Sequence, residues 1–588
     1  MRIRVFLILL LFLLFGAEAA WAQAKPDRTA TVNLSGKVKT IAEKYNQTIF
    51  GKNAFVFDPS MDMSEIQTLI DTLYAGQIFP DNEFSKNRYS LLFKPGTYKL
   101  DIRVGYYMHV VGLGNSPEDV VIVGAVRSNA DKGHVLCNFW RSAENLTIIP
   151  AKESTNIWAV SQASPLRRVH VKGNLKLFEG ASSGGFMANC KIDGAVLSGS
   201  QQQFLTRNSV FEKWEGALWN MMYMGVTNAP AENWPEKPVT TVRQTPEVRE
   251  KPFWTYAEGK YVLRVPALKR NSSGIDWEKE TGKDIMVSID GFYVANSAKD
   301  NATSINTALN NGKHILFTPG IYRLNENLSI TRKGTIMMGI GMATLVPEKG
   351  NIAVTVADVG EVTIASLLID AGAIASETLM RVGEATSTKM HKRNPSFLFD
   401  VFFRVGGPHE GSAKSCLTIN SNNVFADHIW LWRADHGNGA GWHKNRCANG
   451  LIVNGADVTV YGLFNEHFQE YQTLWNGENG RVYFYQSEMP YDPPSAEAWV
   501  HGTTNGYASY KVADPVKKHY AVGLGIYNVF YDAPIIVDQA IEVPQVLENS
   551  FYHKVIFWLN GNKQSEVRSI INGKGDAVNS INRKSTMK

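Results

Sequence analysis

Between Trp430 and Pro494 the chain concentrates acids and large rings. Asp435, Glu466, Glu478, Glu488 and Asp492 supply carboxylates, and Trp430, Trp432, Trp442 and Trp475 supply flat apolar faces, all among Gly and Asn turns. Cleaving a polysaccharide needs both, since pyranose rings stack on aromatic faces and a carboxyl group must protonate the glycosidic oxygen. Taken singly, a Trp belongs to a core more often than to a platform, and a Glu to a solvated face; the density of the two together carries the reading. Glu466 and Glu488 are 22 residues apart, about one coil of a β-solenoid that turns every 20 to 25 residues. On adjacent rungs, with backbones about 4.8 Å apart, two carboxyls cannot both ionise easily. One is expected to keep its proton near neutral pH and to act as a general acid. The competing reading leaves both in solvent on a polar ladder.

The elements that must hold these residues are announced by a duplication. SEIQTLIDTLYAG (64–76), LLFKPGTYKL (91–100) and HVVGLGNSPEDVVI (109–122) are echoed by TSINTALNNGK (303–313), ILFTPGIYRL (315–324) and IMMGIGMATLV (336–346). Each set reads as an amphipathic helix, an apolar strand, a Pro-Gly turn, a second strand and a Gly-x-Gly turn. Short apolar strands separated by Asn, Gly and Asp turns follow each set. This pattern predicts an all-β chain of two tandem right-handed parallel β-helices packed side by side, with the opening helices covering their ends. The expected organisation is a leader over 1–24, an N-terminal β-helix over 25–225, a connector over 226–285 and a C-terminal β-helix over 286–588. Pro230, Pro235, Pro238, Pro246 and Pro252 exclude central strands at those positions of the connector, and its aromatic content favours packing across both solenoids. In the first half, SQQQ places Gln201 and Gln203 on one face of a strand and Gln202 on the other. By itself such a row reads as a stacking ladder; the pair gains interest if the solenoids face each other across a cleft.

Other features narrow the function. Arg2 and Arg4, the apolar run Val5–Phe15 and the small-x-small triplet Ala22-Gln23-Ala24 predict a cleaved export signal and a secreted or periplasmic protein starting at Lys25. The run is too short for a membrane span, and no second run of that length follows. A net charge of +5 spread over 588 residues leaves no basic block for nucleic acid. The four cysteines, Cys137, Cys190, Cys416 and Cys447, allow one bridge in each half or burial as thiols. No CxxC, HExxH or clustered-His spacing suggests a metal, and no cofactor motif stands out.

The paired FxPGxY units, NFWRSAENL (138–146), WAVSQASPLRRVHVKG (158–173), SQQQ, TPEVREKPF, WRADHGNGAGW, WNGENG and EMPYDPP together resemble glycoside hydrolase family 55, the laminarinase-type exo-β-1,3-glucanases, from about Asn53 to Gly573. The resemblance implies a monomer with twinned β-helices that releases glucose from the non-reducing end of β-1,3-glucan, with inversion and without a cofactor. It makes Glu488 the general acid and Glu466 its companion. Gln201 and Gln203 become the side chains that position the attacking water, and Trp432, Tyr491, Asp435 and His436 become sugar contacts. Adjacent-rung stacking of the two glutamates favours retention by the usual carboxyl separations; the resemblance favours inversion. Two other classes fit a β-helix scaffold, a polysaccharide lyase and a non-catalytic glycan-binding protein. A lyase acting on uronates needs Asp with Arg or Lys at the cut, whereas this stretch is dominated by Trp and Glu.

Overall fold

The duplicated units fold alike, and their tyrosines explain the motif. Tyr98 donates its buried hydroxyl to the carbonyls of Phe57 (3.1 Å) and Lys94 (2.8 Å). Tyr322 donates to those of Ala295 (2.8 Å) and Thr318 (2.9 Å). Each ring thus ties a Pro-Gly turn to the strand one coil earlier. The helix Met63–Ala75 is capped by the Asp62 carboxylate, and Ala302–Asn310 by a reciprocal Asn301–Ser304 pair. Ile66, Leu69, Ile70 and Leu73 of the one, and Ile305, Ala308 and Leu309 of the other, enter the cores of their halves at helical spacing. A further helix, Gly36–Tyr45, buries Ile41, Ala42 and Tyr45 in the first core.

The computed structural model describes residues 34–46, 48–131, 133, 135–278 and 283–588; the leader expected over 1–24 lies outside them. In the first half nine strands stack in parallel, from Ala54–Phe57 to Val239–Val242. In the second, ten parallel strands run from Phe292–Ala295 to Phe551–Gly561, closed by the antiparallel Lys584–Met587. A second sheet of eight, from Leu328–Ile330 to Ile541–Glu542, forms another side of this solenoid. The chain is therefore a pair of parallel β-helices. Each has its own apolar interior, and a third cluster, with Leu205 and Met222 from one half and Phe464 and Phe484 from the other, fills the seam between them.

The seam is shaped by a backbone device. Ser366, Asp400, His428, Gly462, Phe484, Gly523 and His553 all have positive φ, between 49° and 73°. They fall at the same place on successive rungs, each skipped by the flanking ladder pairs. A left-handed residue at the same point bends every strand alike. At Gly462 a Cβ would sit 3.1 Å from Leu205 and 3.4 Å from Phe186 of the other solenoid, so the bent strands approach closely there.

Alongside, buried charges lock the halves together. Arg167 grips Asp400 (2.8 Å) and Asp427 (2.9 Å), and Arg207 grips Asp427 (2.9 Å) and Glu250 (2.7 Å). Lys251 reaches Glu144 (2.5 Å) and Asp400 (3.4 Å). Glu250 and Lys251 belong to the Pro-rich segment, which here makes antiparallel ribbons: Thr245–Val248 with Lys269–Ser272, and Phe253–Ala257 with Lys260–Val265 and Ile285–Ser288. Pro246 sits in the two-stranded ribbon, and Pro238 immediately precedes the last strand of the first stack. All four cysteines are free. Among the described residues no helix is long and apolar enough to cross a membrane.

Candidate active site

Glu466 and Glu488 end the strands Thr459–Glu466 and Gly480–Glu488 and are paired across the ladder. The same column holds Trp432 one rung before and Tyr527 one rung after. Glu466 is 2% exposed. Its two oxygens accept from Gln162 Nε2 (2.9 Å) and Trp430 Nε1 (2.8 Å). Burial pushes its carboxyl up to about 7, and the Asp435 charge adds to this, against hydrogen bonds from Trp430, Gln486 and Gln162. Glu488 lies nearer solvent, with its side chain 13% exposed. It accepts from the Tyr491 hydroxyl and from Gln486 Nε2 (3.3 Å). The Tyr491 ring packs edge-on against His467 at 4.3 Å between centroids. Arg433 holds the segment after Glu488 by a two-pronged grip on Asp492, both contacts 2.9 Å.

The opposing wall comes from the first solenoid and corrects part of the expected set. Gln201 spends its whole amide within the first solenoid. Its Oε1 accepts from Gly184 N (2.7 Å) and its Nε2 donates to the carbonyls of Val160 and Leu177 (3.1 Å each). It precedes the strand Gln203–Arg207, so the alternation that would have aligned it with Gln203 has not yet begun. Gln203 donates to Ser183 O (3.0 Å), and its buried Oε1 has no partner. The residue of this wall that touches Glu466 is Gln162, 2% exposed, whose Nε2 donates to both Ser183 Oγ (2.7 Å) and Glu466 and whose Oε1 is buried without a partner. Gly184, at φ +126°, lets this wall close up: a Cβ there would lie 3.2 Å from both Gln203 and Phe464. Gln486 Oε1 and the Tyr527 hydroxyl are likewise buried and unpartnered. Trp219 of the first solenoid packs on Tyr527 at 5.3 Å. Gln162 stands in the WAVSQASPL motif and Gln486 two residues before Glu488; neither carries a charge that would single it out in a sequence.

The aromatic residues are also redistributed. Trp475 is fully buried inside the second solenoid. Trp432, read as an open platform, is 2% exposed. It stacks on Trp430 at 5.3 Å and lies within 6.4 Å of Phe84, Phe139 and Trp140. It belongs to the layer beneath the site because both solenoids send aromatic rings into the seam. His436 offers a sugar no free ring nitrogen: Nδ1 meets Asp435 (2.9 Å) and Nε2 meets Glu83 of the first solenoid (2.8 Å). Burial alone would lower the His436 imidazole, but Glu83 and Asp435 outweigh it and hold it well above its usual value. Burial would raise Asp435, yet the His436 charge and hydrogen bond hold its carboxyl well below the usual range. Asp435 is exposed to solvent.

Partly exposed Glu488, the more deeply buried Glu466 and the unpartnered amide oxygens of Gln162, Gln203 and Gln486 supply the groups that hydrolysis needs, a proton donor and acceptors for a water. Residues 292–488 match the family model described as the LAM55 pectate lyase-like domain. The chain is 41% identical over 565 residues to an exo-beta-1,3-glucanase of Streptomyces sp. (strain SirexAA-E / ActE), covering 95% of this chain and 92% of that protein. The structure of sacteLam55A from Streptomyces sp. SirexAA-E matches with a TM-score of 0.88 at 41% identity, over 92% of this chain and 98% of that one. A glutamate-to-alanine variant of sacteLam55A in complex with glucose matches with a TM-score of 0.87 at 40% identity, over the same shares of both chains.

Proposed function

The chain belongs to glycoside hydrolase family 55 and is an exo-β-1,3-glucanase, and we propose that it takes glucose from the non-reducing end of β-1,3-glucan by inversion, with Glu488 as general acid. Glu488 protonates the departing glycosidic oxygen while a water attacks the anomeric carbon from the opposite face. That water is held by Gln162 Oε1, Gln203 Oε1 and Ser183 Oγ. The proton it sheds enters the hydrogen-bonded set that Gln162 joins to Glu466. Glu466 is the ionisable member of this set, and a carboxylate with a pKa near 7 is an effective proton acceptor at neutral pH. The observation that carries the reading is the pair of buried amide oxygens without partners on the wall facing the acids. Buried polar atoms are nearly always satisfied, so two orphans at one place ask for a ligand or water.

One chain supplies both walls, which supports action as a monomer. The leader pattern over 1–24 supports export from the cytoplasm, which N-terminal sequencing of the culture-fluid protein tests by its start at Lys25. The water site is tested by a double change, Gln162→Ala with Gln203→Ala. Misplacing an attacking group costs about 10²-fold in rate, and turnover on laminarin should fall by that much while glucose still binds. Gln201→Ala is the control. It should cost about 1 to 3 kcal/mol of stability through orphaned backbone groups and leave the turnover of folded enzyme in place. Full activity in the double variant contradicts the reading.

A further inference from the structure

Beside the hydrolytic site the fold assembles three residues that the sequence scatters. Glu83, Cys137 and His436 each bring one ligand-type atom into a group whose members all lie within 4.8 Å of one another. Glu83 and Cys137 come from the first solenoid and His436 from the second, 353 residues after Glu83. No spacing rule for metal ligands could find such a set. The His436 ring is already oriented as metal-bound imidazoles are: Asp435 Oδ1 takes Nδ1 (2.9 Å), which leaves Nε2 directed at Glu83 (2.8 Å). Behind the ring, Phe84 and Trp432 pack at 5.9 and 5.2 Å. The side chain of Glu83 is 6% exposed, so its carboxylate is held in place and a counter-charge there is strongly favoured.

We propose that Glu83, Cys137 and His436 form a binding site for a divalent cation of the zinc and cadmium class. Thiolate and imidazole select such ions over calcium or magnesium. Three protein ligands with a fourth position open to water are a common tetrahedral arrangement, at about 2.0 to 2.3 Å from the ion. That geometry sets ligand atoms roughly 3.5 Å apart, so the Glu83–His436 pair opens from 2.8 Å by less than an ångström while wider separations in the group, at most 4.8 Å, close by about as much. The ion replaces the proton on His436 Nε2 and the proton on the Cys137 sulfur, both of which leave to solvent. Because the ligands come from both solenoids and flank the layer that contains Trp432, occupancy clamps the seam next to the sugar site.

Titration of the intact protein with cadmium chloride tests this, read by the ultraviolet thiolate-to-cadmium band and by equilibrium dialysis. One tight ion per chain with a thiolate band is expected, together with a higher melting temperature. Cys137→Ser should abolish the band. Asp435→Asn, which leaves all three ligands but frees the ring, should weaken binding about 10- to 100-fold. Calcium chloride should not compete. A band that survives in Cys137→Ser would assign the ion to the other thiols and overturn the proposal, as would absence of binding. If Cys137→Ser does not fold, maleimide labelling of the unaltered protein decides. Cadmium should protect Cys137 from alkylation, and equal labelling with and without the metal contradicts the site.

Discussion

Two stretches of one seam join the solenoids in opposite ways. Around Arg167, Arg207 and Lys251, cations meet Asp400, Asp427, Glu144 and Glu250 at 2.5 to 3.4 Å. A few residues along, Gln162, Gln203, Gln486 and Tyr527 each keep a buried polar atom without a partner. His428 connects the two, with Nδ1 on Asp400 (2.9 Å) and Nε2 on the carbonyl of Gln162 (3.1 Å). The saturated stretch holds the halves in register. The unsaturated one, held open by that register, is the stretch proposed to take the substrate and the attacking water. A seam satisfied throughout would be stronger and inert.

The sharpest way to separate the stretches is to remove the transferable proton. Glu488→Gln keeps the shape and an acceptor for Tyr491, and its turnover on laminarin should drop by about 10² to 10⁴ with an unchanged melting temperature. Near-normal turnover would deprive the unsaturated stretch of its acid. In the saturated stretch the response should be the reverse. Arg167→Met leaves Asp400 and Asp427 buried with fewer partners, which costs about 3 to 5 kcal/mol, read by denaturant unfolding, while the molecules that remain folded turn over normally. A stable, slow variant would show that these charges serve chemistry and do not merely join the halves.

A smaller effect comes from Glu466. Its folded-state value near 7 stands above the ordinary 4.5, so between these limits the native state binds a proton that the unfolded chain has released. Stability therefore falls as pH rises from 4.5 to about 7, by roughly 3 kcal/mol from this group. Glu466→Gln, uncharged throughout, should lack that part of the slope when unfolding is followed across this range. Parallel profiles for the two proteins would mean that Glu466 titrates as an ordinary carboxyl.

What the sequence disclosed follows the same division. The repeated FxPGxY units are local, with a tyrosine reaching one coil back, so the solenoids and the rung spacing of Glu466 and Glu488 could be read from periodicity. The seam is not local. Arg167 finds Asp400, Gln162 finds Glu466 and Glu83 finds His436 across 233, 304 and 353 residues, and no periodic pattern encodes those meetings. Gln201 and Gln203 were placed on one face by strand alternation, and the pairing failed because the strand starts at Gln203. Trp432 looked like a platform because a sequence cannot show that Phe84, Phe139 and Trp140 cover it.

A water on the first solenoid's wall is proposed to attack opposite Glu488. Proton NMR during the first minutes of laminarin hydrolysis tests it most directly, since the configuration of newly released glucose records the face of attack. The α-anomer should appear first and mutarotate towards the β-form. Initial β-glucose would mean retention, with a carboxylate and not the amide-held water as the attacking group, and would overturn the proposed water site.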